Sequence, residues 1–186
     1  CVDCAASVAI ANLLFTMGLK RENLLMCDSK GVIYKGRKEG MNKYKDMFAV
    51  DTDKRTIEDA MRDADAFLGC SAQGVINQKM VKTMAKNPII FALANPNPEI
   101  KPELAKKAGV NIMATGRSDY PNQINNVLVF PGIFKGAIAA RKKNITDKMK
   151  LEAAVALASF VKKPKYDKII PNPFEKGIAD LIAKAV

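Results

Sequence analysis

The hydrophobic and polar positions follow two alternating periods along the chain, and this pattern predicts an α/β fold. Short apolar runs such as residues 66–69 and 88–94 are typical of strands, and amphipathic segments of helical period separate them. Residues 88–94 show no alternation, which is typical of a buried central strand. Strands that alternate with helices predict a Rossmann-like, doubly wound, mostly parallel sheet with helices on both faces.

Turn and capping residues predict where the elements begin and end. Gly18 and Gly109 stand where a helix would end in the left-handed conformation. Thr56 and Asn77 can cap the helices that follow them, and Pro102 suits a first helical turn. The predicted helices cover residues 5–17, 56–64, 103–108, 133–142, 146–162 and 175–185, and the predicted strands cover residues 24–27, 66–69, 88–94 and 110–114.

A chain of 186 residues, 48% of them hydrophobic, is long enough to bury one core, so we predict one domain over residues 1–186. It begins at Cys1 and runs directly into an apolar helix, without the basic front and cleavage site of a signal peptide, so we expect a fragment. Its apolar stretches are far shorter than the roughly 20 residues that cross a bilayer. We therefore expect a soluble protein with no membrane partner.

The formal charge of +11 comes from 30 Lys and Arg against 19 Asp and Glu, with no His. A nucleic-acid binder would cluster these cations and interleave aromatic side chains, whereas here they are scattered and Trp is absent. We therefore expect no nucleic-acid partner, and net charge alone supports the alternative of a basic nucleic-acid binder. The densest basic run, residues 35–45, contains Gly36 and Gly40 and predicts a solvated loop.

The cysteines Cys1, Cys4, Cys27 and Cys70 do not form a secreted disulfide framework at this chain length, which favours a reducing, cytoplasmic location. The first two have the spacing of a redox pair or half a zinc site, but no second pair follows. We therefore favour two small residues in a turn, and we predict no metal ligands in the chain.

Open α/β sheets bind ligands at the carboxyl ends of their strands, which places the candidate binding loops after Asp28, Gly69, Asn95 and Thr115. Asp28 stands at the distance from the first loop at which a dinucleotide-binding fold presents a carboxylate to the adenosine ribose. A turn residue in the sequence DSKG is an equally good interpretation of Asp28.

The first loop lacks the glycine pattern of a dinucleotide-binding fold. Val2, Cys4 and Ser7 occupy the positions where glycines would allow the backbone to approach a pyrophosphate. The start of the helix, with Ala6 and Ser7, can still offer amides and a partial positive charge to a phosphate. The sequence therefore leaves open a degenerate Rossmann-like interaction domain that no longer binds a dinucleotide.

Several longer segments resemble the malic enzyme family, in particular its bacterial-type members. The most specific are residues 91–99, FALANPNPE, and residues 114–137, ATGRSDYPNQINNVLVFPGIFKGA. Residues 28–37, 69–74 and 169–174 resemble the family in the same order, so the similarity covers nearly the whole chain. It implies the C-terminal NAD(P)-binding domain of an enzyme that decarboxylates malate oxidatively to pyruvate and CO₂.

The resemblance also implies roles for individual residues. Asn95 and Asn126 would bind malate, although capping of the next helical turn is an alternative for Asn126 and its neighbour Asn125. For Arg117 and Asp119 we favour a local ion pair over a catalytic role. The residues expected to bind NAD or NADP are Ala6, Ser7, Asp28, Ser71, Ala72, Asn95, Gly116 and Asn125.

The resemblance places the reaction centre outside this chain. Malic enzymes use a Lys, a Tyr and carboxylates that hold Mg²⁺ or Mn²⁺, and in the family these lie N-terminal to residue 1. The first strand of the sheet would be missing as well. We therefore expect no catalytic residue here, an inactive isolated chain, and a homodimer when the N-terminal half is present. NAD and NADP stay open, because Lys30 and Arg37 stand near Asp28 and could neutralise a 2′-phosphate.

Overall fold

A computed structural model describes residues 5–186, which divide into a unit that ends at Ile112 and a unit that begins at Met113. Each unit is compact in itself. The helices of the first unit are α1 (Ala5–Thr16), α2 (Lys43–Asp46), α3 (Ile57–Met61), α4 (Gln78–Val81) and α5 (Pro102–Lys107), and its strands are β1 (Cys27–Asp28), β2 (Gly31–Val32), β3 (Ala66–Gly69) and β4 (Ile89–Ala92). From β5 (Ile112–Thr115) onward the elements are α6 (Phe130–Ala139), α7 (Asp147–Phe160) and α8 (Ile178–Ala185).

The predicted α/β class is confirmed. Within residues 5–186 a three-stranded parallel sheet has the order β3-β4-β5, and β3 pairs with β4 so that Gly69 lies opposite Ala92. Both strands therefore end at the same edge of the sheet, which places the loops that follow them side by side.

The prediction of a strand over residues 24–27 is wrong for residues 24–26. The structure pairs only Cys27 and Asp28, in an antiparallel hairpin with Gly31 and Val32. The hairpin forms because Gly31 adopts a φ of +101° and Asp28 accepts the backbone N–H of Lys30 within the turn. The turn interpretation of the DSKG sequence is therefore confirmed.

The predicted helix ends are confirmed where a specific residue sets them. Thr56 and Asn77 cap α3 and α4 with their side chains, and Pro102 is the first residue of α5. Gly18 and Gly109 both adopt a φ of +100° after α1 and α5. Local hydrogen bonding and steric preference fix these positions, which explains why sequence alone identifies them.

The expectation that β4 is evenly buried is wrong. Ile90 and Ala92 are fully buried, but the alternate residues Ile89 and Phe91 are only partly buried. An apolar side chain is compatible with either environment, so hydrophobicity alone cannot report how well each face of a strand is covered. No helix among residues 5–186 is both long and apolar enough to span a bilayer.

In the second unit, two glycines allow α6 to pack closely against α8. A methyl group at Gly132 would lie 2.6 Å from Cβ of Ile182 and 2.9 Å from the carbonyl oxygen of Ala179. A methyl group at Gly136 would collide with Cγ2 of Val186. Ile182 is fully buried in the core of this unit, so the neighbouring helix has little room to withdraw.

We expect Gly132→Ala to lower the free energy of unfolding by about 1–3 kcal/mol, because overpacking at α8 outweighs the gain in helix propensity. Urea unfolding of the chain measures this change. Ile138→Ala, at a residue of α6 that is 76% exposed, is the control and should change stability far less. A Gly132→Ala chain as stable as the original would contradict the close packing.

Candidate functional site

The carboxyl ends of β3 and β4 bring two of the predicted binding loops together. The backbone N–H of Leu93 donates to the carbonyl of Gly69 at 2.9 Å, which extends the pairing one residue beyond β4. Farther along, the side-chain amide of Asn97 donates to Oε1 of Gln73 at 3.0 Å. The loop after β3 and the loop after β4 are thus joined both at their base and near their tips.

The predicted site residues of these two loops are accessible to a ligand. Ser71 is partly buried, and Ala72 and Asn95 are exposed. The Asn95 side chain makes no hydrogen bond to any other residue among those described, so its amide is free to donate and to accept. An exposed amide next to a loop that offers backbone groups can bind a polar ligand.

A residue that the sequence analysis did not single out connects the two loops. Glu99 is fully buried, and its Oε1 accepts the backbone N–H of Ser71 at 2.7 Å and the Ser71 hydroxyl at 3.1 Å. Its Oε2 accepts the backbone N–H of Ala94 at 3.1 Å. The signal available in the sequence was a carboxylate between the apolar residues Pro98 and Ile100, because a carboxylate in such surroundings needs specific partners if it is buried.

The first turn of α1 contains the two candidates for phosphate binding. Ala6 is exposed and Ser7 is 7% exposed. The Ser7 hydroxyl oxygen is buried and has no hydrogen-bond partner within residues 5–186, which is rare for a buried polar atom. Val2 and Cys4 lie outside the described residues, as does the predicted pair Cys1 and Cys4. Neither Cys27 nor Cys70 forms a disulfide bond.

Asp28 lies at the hairpin turn, and its side chain is 1% exposed. Its Oδ1 accepts the backbone N–H of Lys30 at 2.9 Å. Its Oδ2 pairs with the Arg37 guanidinium and with Nζ of Lys45, the latter at 2.8 Å. Burial by itself raises the pKa of Asp28, but hydrogen bonds from Arg37, Lys45 and the Lys30 backbone outweigh it and lower the pKa to about 2.

The prediction that residues 35–45 form a solvated loop is wrong for the two cations of this segment that pair with Asp28. Arg37 and Lys45 are buried, with 4% and 10% of their side chains exposed. Besides Asp28, Arg37 donates to the carbonyls of Gly31, Val32 and Glu39. These cations are buried because they pair with Asp28, which lies outside residues 35–45. The composition of the loop therefore could not indicate their burial.

In the second unit, Asn125 and Asn126 begin a turn of 3₁₀-helix. Oδ1 of Asn125 accepts the backbone N–H of Val127 at 3.1 Å, which confirms the capping interpretation for Asn125. Asn126 is exposed, and its side-chain amide makes no hydrogen bond within the part of the chain that the structure describes. Because Asn125 provides the cap, the Asn126 side chain stays available to a ligand. Gly116 follows β5 and is partly buried.

The expected ion pair between Arg117 and Asp119 is confirmed, with Nη2 2.7 Å from Oδ2. Asn122, which the sequence analysis did not consider, is buried with a φ of +56°. Its amide donates to the carbonyls of Met113 and Tyr166, and its Oδ1 accepts the backbone N–H of Ile169. Among residues 5–186, no three His, Cys, Asp or Glu side chains are grouped to hold a metal ion.

Comparison with known proteins identifies the family of the chain. The family described as "Malic enzyme, NAD binding domain" matches residues 6–176. The chain belongs to the malic enzyme family. The match spans both the α1 turn with Ser7 and the segment with Asn125 and Asn126, so the candidate site residues lie within the malic enzyme domain.

Curated relatives agree with this assignment. The domain is 49% identical over 188 residues to a bifunctional malic/malolactic enzyme of Bacillus subtilis and 47% identical over 201 residues to an NADP-dependent malic enzyme of Rhizobium meliloti. A protein of Rhizobium meliloti named NAD-dependent malic enzyme is 42% identical. The alignments include 98% of the chain but only 45% of the Bacillus protein and 26% of each Rhizobium protein.

Solved structures of malic enzymes share the fold. An NAD-dependent malic enzyme of Thermotoga maritima superimposes with a TM-score of 0.90 at 39% identity, over 96% of this chain and 48% of that one. The malic enzyme of Pyrococcus horikoshii superimposes with a TM-score of 0.87 at 39% identity, over 95% of this chain and 43% of that one. The chain thus spans about half the length of these structures.

We expect Asp28→Asn to destabilise the malic enzyme domain in a pH-dependent manner. A carboxylate whose pKa is lowered by folding stabilises the native state above its ordinary pKa of 3.8, and this stabilisation is lost as the pH falls towards 2. The variant should lose at least about 2 kcal/mol near pH 6, since each pKa unit corresponds to about 1.4 kcal/mol, and the difference should shrink below about pH 4.

Urea unfolding at several pH values measures the dependence, with Asp53→Asn, at an exposed carboxylate, as the control. A stability difference that stays constant between about pH 2 and pH 6 would contradict the role assigned to the Asp28 pairs.

Proposed function

We propose that the complete protein is an NAD(P)-dependent malic enzyme that converts malate to pyruvate and CO₂, and that this chain is its dinucleotide-binding part. The match of residues 6–176 to the family's NAD-binding domain is the observation that carries this proposal. Relatives named as NADP-dependent and NAD-dependent malic enzymes support it. The proposed full fold is a doubly wound Rossmann-like sheet, completed by residues outside this chain.

The pyrophosphate of the dinucleotide would bind at the start of α1. Backbone amides in the first turn of a helix have no partner within the helix, and the helix dipole favours an anion there. The Ser7 hydroxyl is buried and has no hydrogen-bond partner among residues 5–186, which supports a ligand at this place. Ser71, Ala72 and Gly116 would lie along the cofactor, where small side chains let it approach the backbone.

Asp28 would stand near the adenosine ribose without repelling a 2′-phosphate. Two cations neutralise its carboxylate, and only 1% of its side chain is exposed. A ribose hydroxyl would reach this carboxylate only after Arg37 or Lys45 moves. This arrangement supports the use of NADP as well as NAD, in agreement with relatives of both names.

Asn95 and Asn126 would bind malate through their side-chain amides, which make no hydrogen bond within residues 5–186 and can donate to a carboxylate and accept from a hydroxyl. Asn125 would contact the ribose next to the nicotinamide. A bound dinucleotide would supply the hydride acceptor for the oxidation of malate at C2. The two asparagines orient the substrate for that transfer and offer no group that titrates near neutral pH.

The remaining machinery would come from the part of the protein outside this chain. We propose that this part supplies the base, the acid and the carboxylates for Mg²⁺ or Mn²⁺, and that the complete enzyme is a homodimer in the cytoplasm. The coverage of 45% of the Bacillus relative supports a second part of similar size. Cys27 and Cys70 form no disulfide bond, which agrees with a reducing compartment.

The complete protein should reduce NAD or NADP in the presence of malate and Mg²⁺ or Mn²⁺, whereas the isolated chain should not. Spectrophotometric assays measure turnover, and calorimetric titration with NAD and NADP measures binding. Turnover by the rigorously purified chain would contradict the proposal that the catalytic residues and metal ligands lie outside it. Failure of the complete protein to bind either dinucleotide would favour an interaction domain instead.

In the complete protein, Asn126→Ala should impair the use of malate more than the binding of dinucleotide. Loss of the amide leaves a polar group of the substrate unpaired, at a cost of about 1–3 kcal/mol in kcat/KM. Asn144→Ala, at another exposed asparagine, is the control. If Asn126→Ala leaves the malate kinetics unchanged, Asn126 serves only the local turn.

A further inference from the structure

We infer that Glu99 is a positioning residue that fixes the spacing between the loop that would hold the cofactor and the loop that would hold malate. The inference rests on the proposed function for the identity of the two ligands. It rests on the structure alone for the connection between the loops.

The connection has one carboxylate at its centre. One oxygen of Glu99 accepts both the backbone N–H and the hydroxyl of Ser71, and the other accepts the backbone N–H of Ala94. Ser71 precedes Ala72 at the proposed cofactor side, and Ala94 immediately precedes Asn95 at the proposed substrate side. Each loop is thus attached to a different oxygen of the same rigid group.

Glu99 is held in one place. Glu99 is fully buried, and its backbone carbonyl accepts the N–H of Ile76 at 3.4 Å. Its carboxyl group also occupies the space that a side chain at position 69 would fill, because a methyl group at Gly69 would collide with Cδ of Glu99 and lie 2.5 Å from its Oε1. The glycine at the end of β3 therefore makes room for the carboxylate.

The hydrogen bonds require a carboxylate and not merely a polar side chain. Both oxygens of Glu99 act only as acceptors, and the groups that face them are donors. No Lys or Arg lies within ion-pair distance of this carboxylate among residues 5–186, so these donors are its compensation for burial. A glutamine would present a donor to one of the two loops and release it.

The consequence for the proposed reaction is geometric. Hydride transfer requires the donor and acceptor carbons at close approach, and a displacement of about 1 Å can lower the rate about 100-fold. The pairing of β3 with β4 sets the separation of the two loops at Gly69 and Ala92, and Glu99 sets it two residues further along each loop, at Ser71 and Ala94. Loss of this carboxylate should therefore affect the chemical step more than the binding of either ligand.

The test uses the complete protein with Glu99→Gln, with Gly69→Ala, and with Glu58→Gln as the control at an exposed glutamate. In Glu99→Gln we expect kcat to fall about 100-fold, the Kd of dinucleotide to change less than about 3-fold, and the isotope effect with malate deuterated at C2 to rise. Gly69→Ala displaces the same carboxylate without altering its chemistry, although its methyl group would also lie 2.8 Å from Cε1 of Phe67. The double variant should be no worse than the more impaired single variant.

Amide hydrogen exchange separates positioning from a loss of fold. In Glu99→Gln the amide of Ser71 or of Ala94 should exchange faster, while the amide of Leu93, which bonds to Gly69, should stay protected. Should Glu99→Gln fail to fold, Gly69→Ala carries the same measurements. Three results would each overturn the inference. The first is an unchanged kcat, and the second is unchanged exchange at both Ser71 and Ala94. The third is a variant that loses both the protection at Leu93 and the ability to bind dinucleotide.

The outcome also separates this inference from the proposed function. An inactive wild-type protein would refute the proposed function, and the exchange rates of Ser71 and Ala94 would still show whether Glu99 connects the loops. An active wild-type protein whose Glu99→Gln variant keeps its kcat would refute the inference and leave the proposed function intact.

Discussion

The parallel pairing of β3 with β4 is the constraint on which the candidate site of the first unit depends. It places Gly69 opposite Ala92, so that the two chains leave the sheet at the same edge. Because a parallel pair needs a long crossover, the segments that carry Ser71 and Asn95 are distant in sequence and adjacent in space. Every polar contact between the two loops, including those of Glu99, presupposes this pairing.

The two buried carboxylates of the first unit illustrate two ways of accommodating charge. Asp28 is paired with two cations, so its surroundings carry an excess of positive charge. Glu99 receives hydrogen bonds from a hydroxyl and two backbone amides. An ion pair attracts its partners over some distance, whereas hydrogen bonds also impose direction, and direction is what a binding loop requires.

Sequence reasoning succeeded where the physics is local. The positions of Thr56, Asn77 and Pro102 fix helix starts through contacts within a few residues. It failed for the burial of Arg37 and Lys45 because their partner Asp28 lies 9 and 17 positions away, across a hairpin that the periodicity did not predict. The candidate site was predicted largely from the resemblance of long segments, and Glu99 went unnoticed because its partner Ser71 lies 28 positions away, at the end of another strand.

Asn122 has a consequence for the order in which the second unit folds. Its side chain reaches the carbonyl of Tyr166, 44 positions along the chain, and the N–H of Ile169, 47 positions along it. Closing a loop of that length costs conformational entropy before any contact repays it, so such contacts form late. We therefore expect the segment around Tyr166 to become fixed after α6 and α7 have shortened the path between them, with protection of the Ile169 amide as the sign that this unit has completed folding.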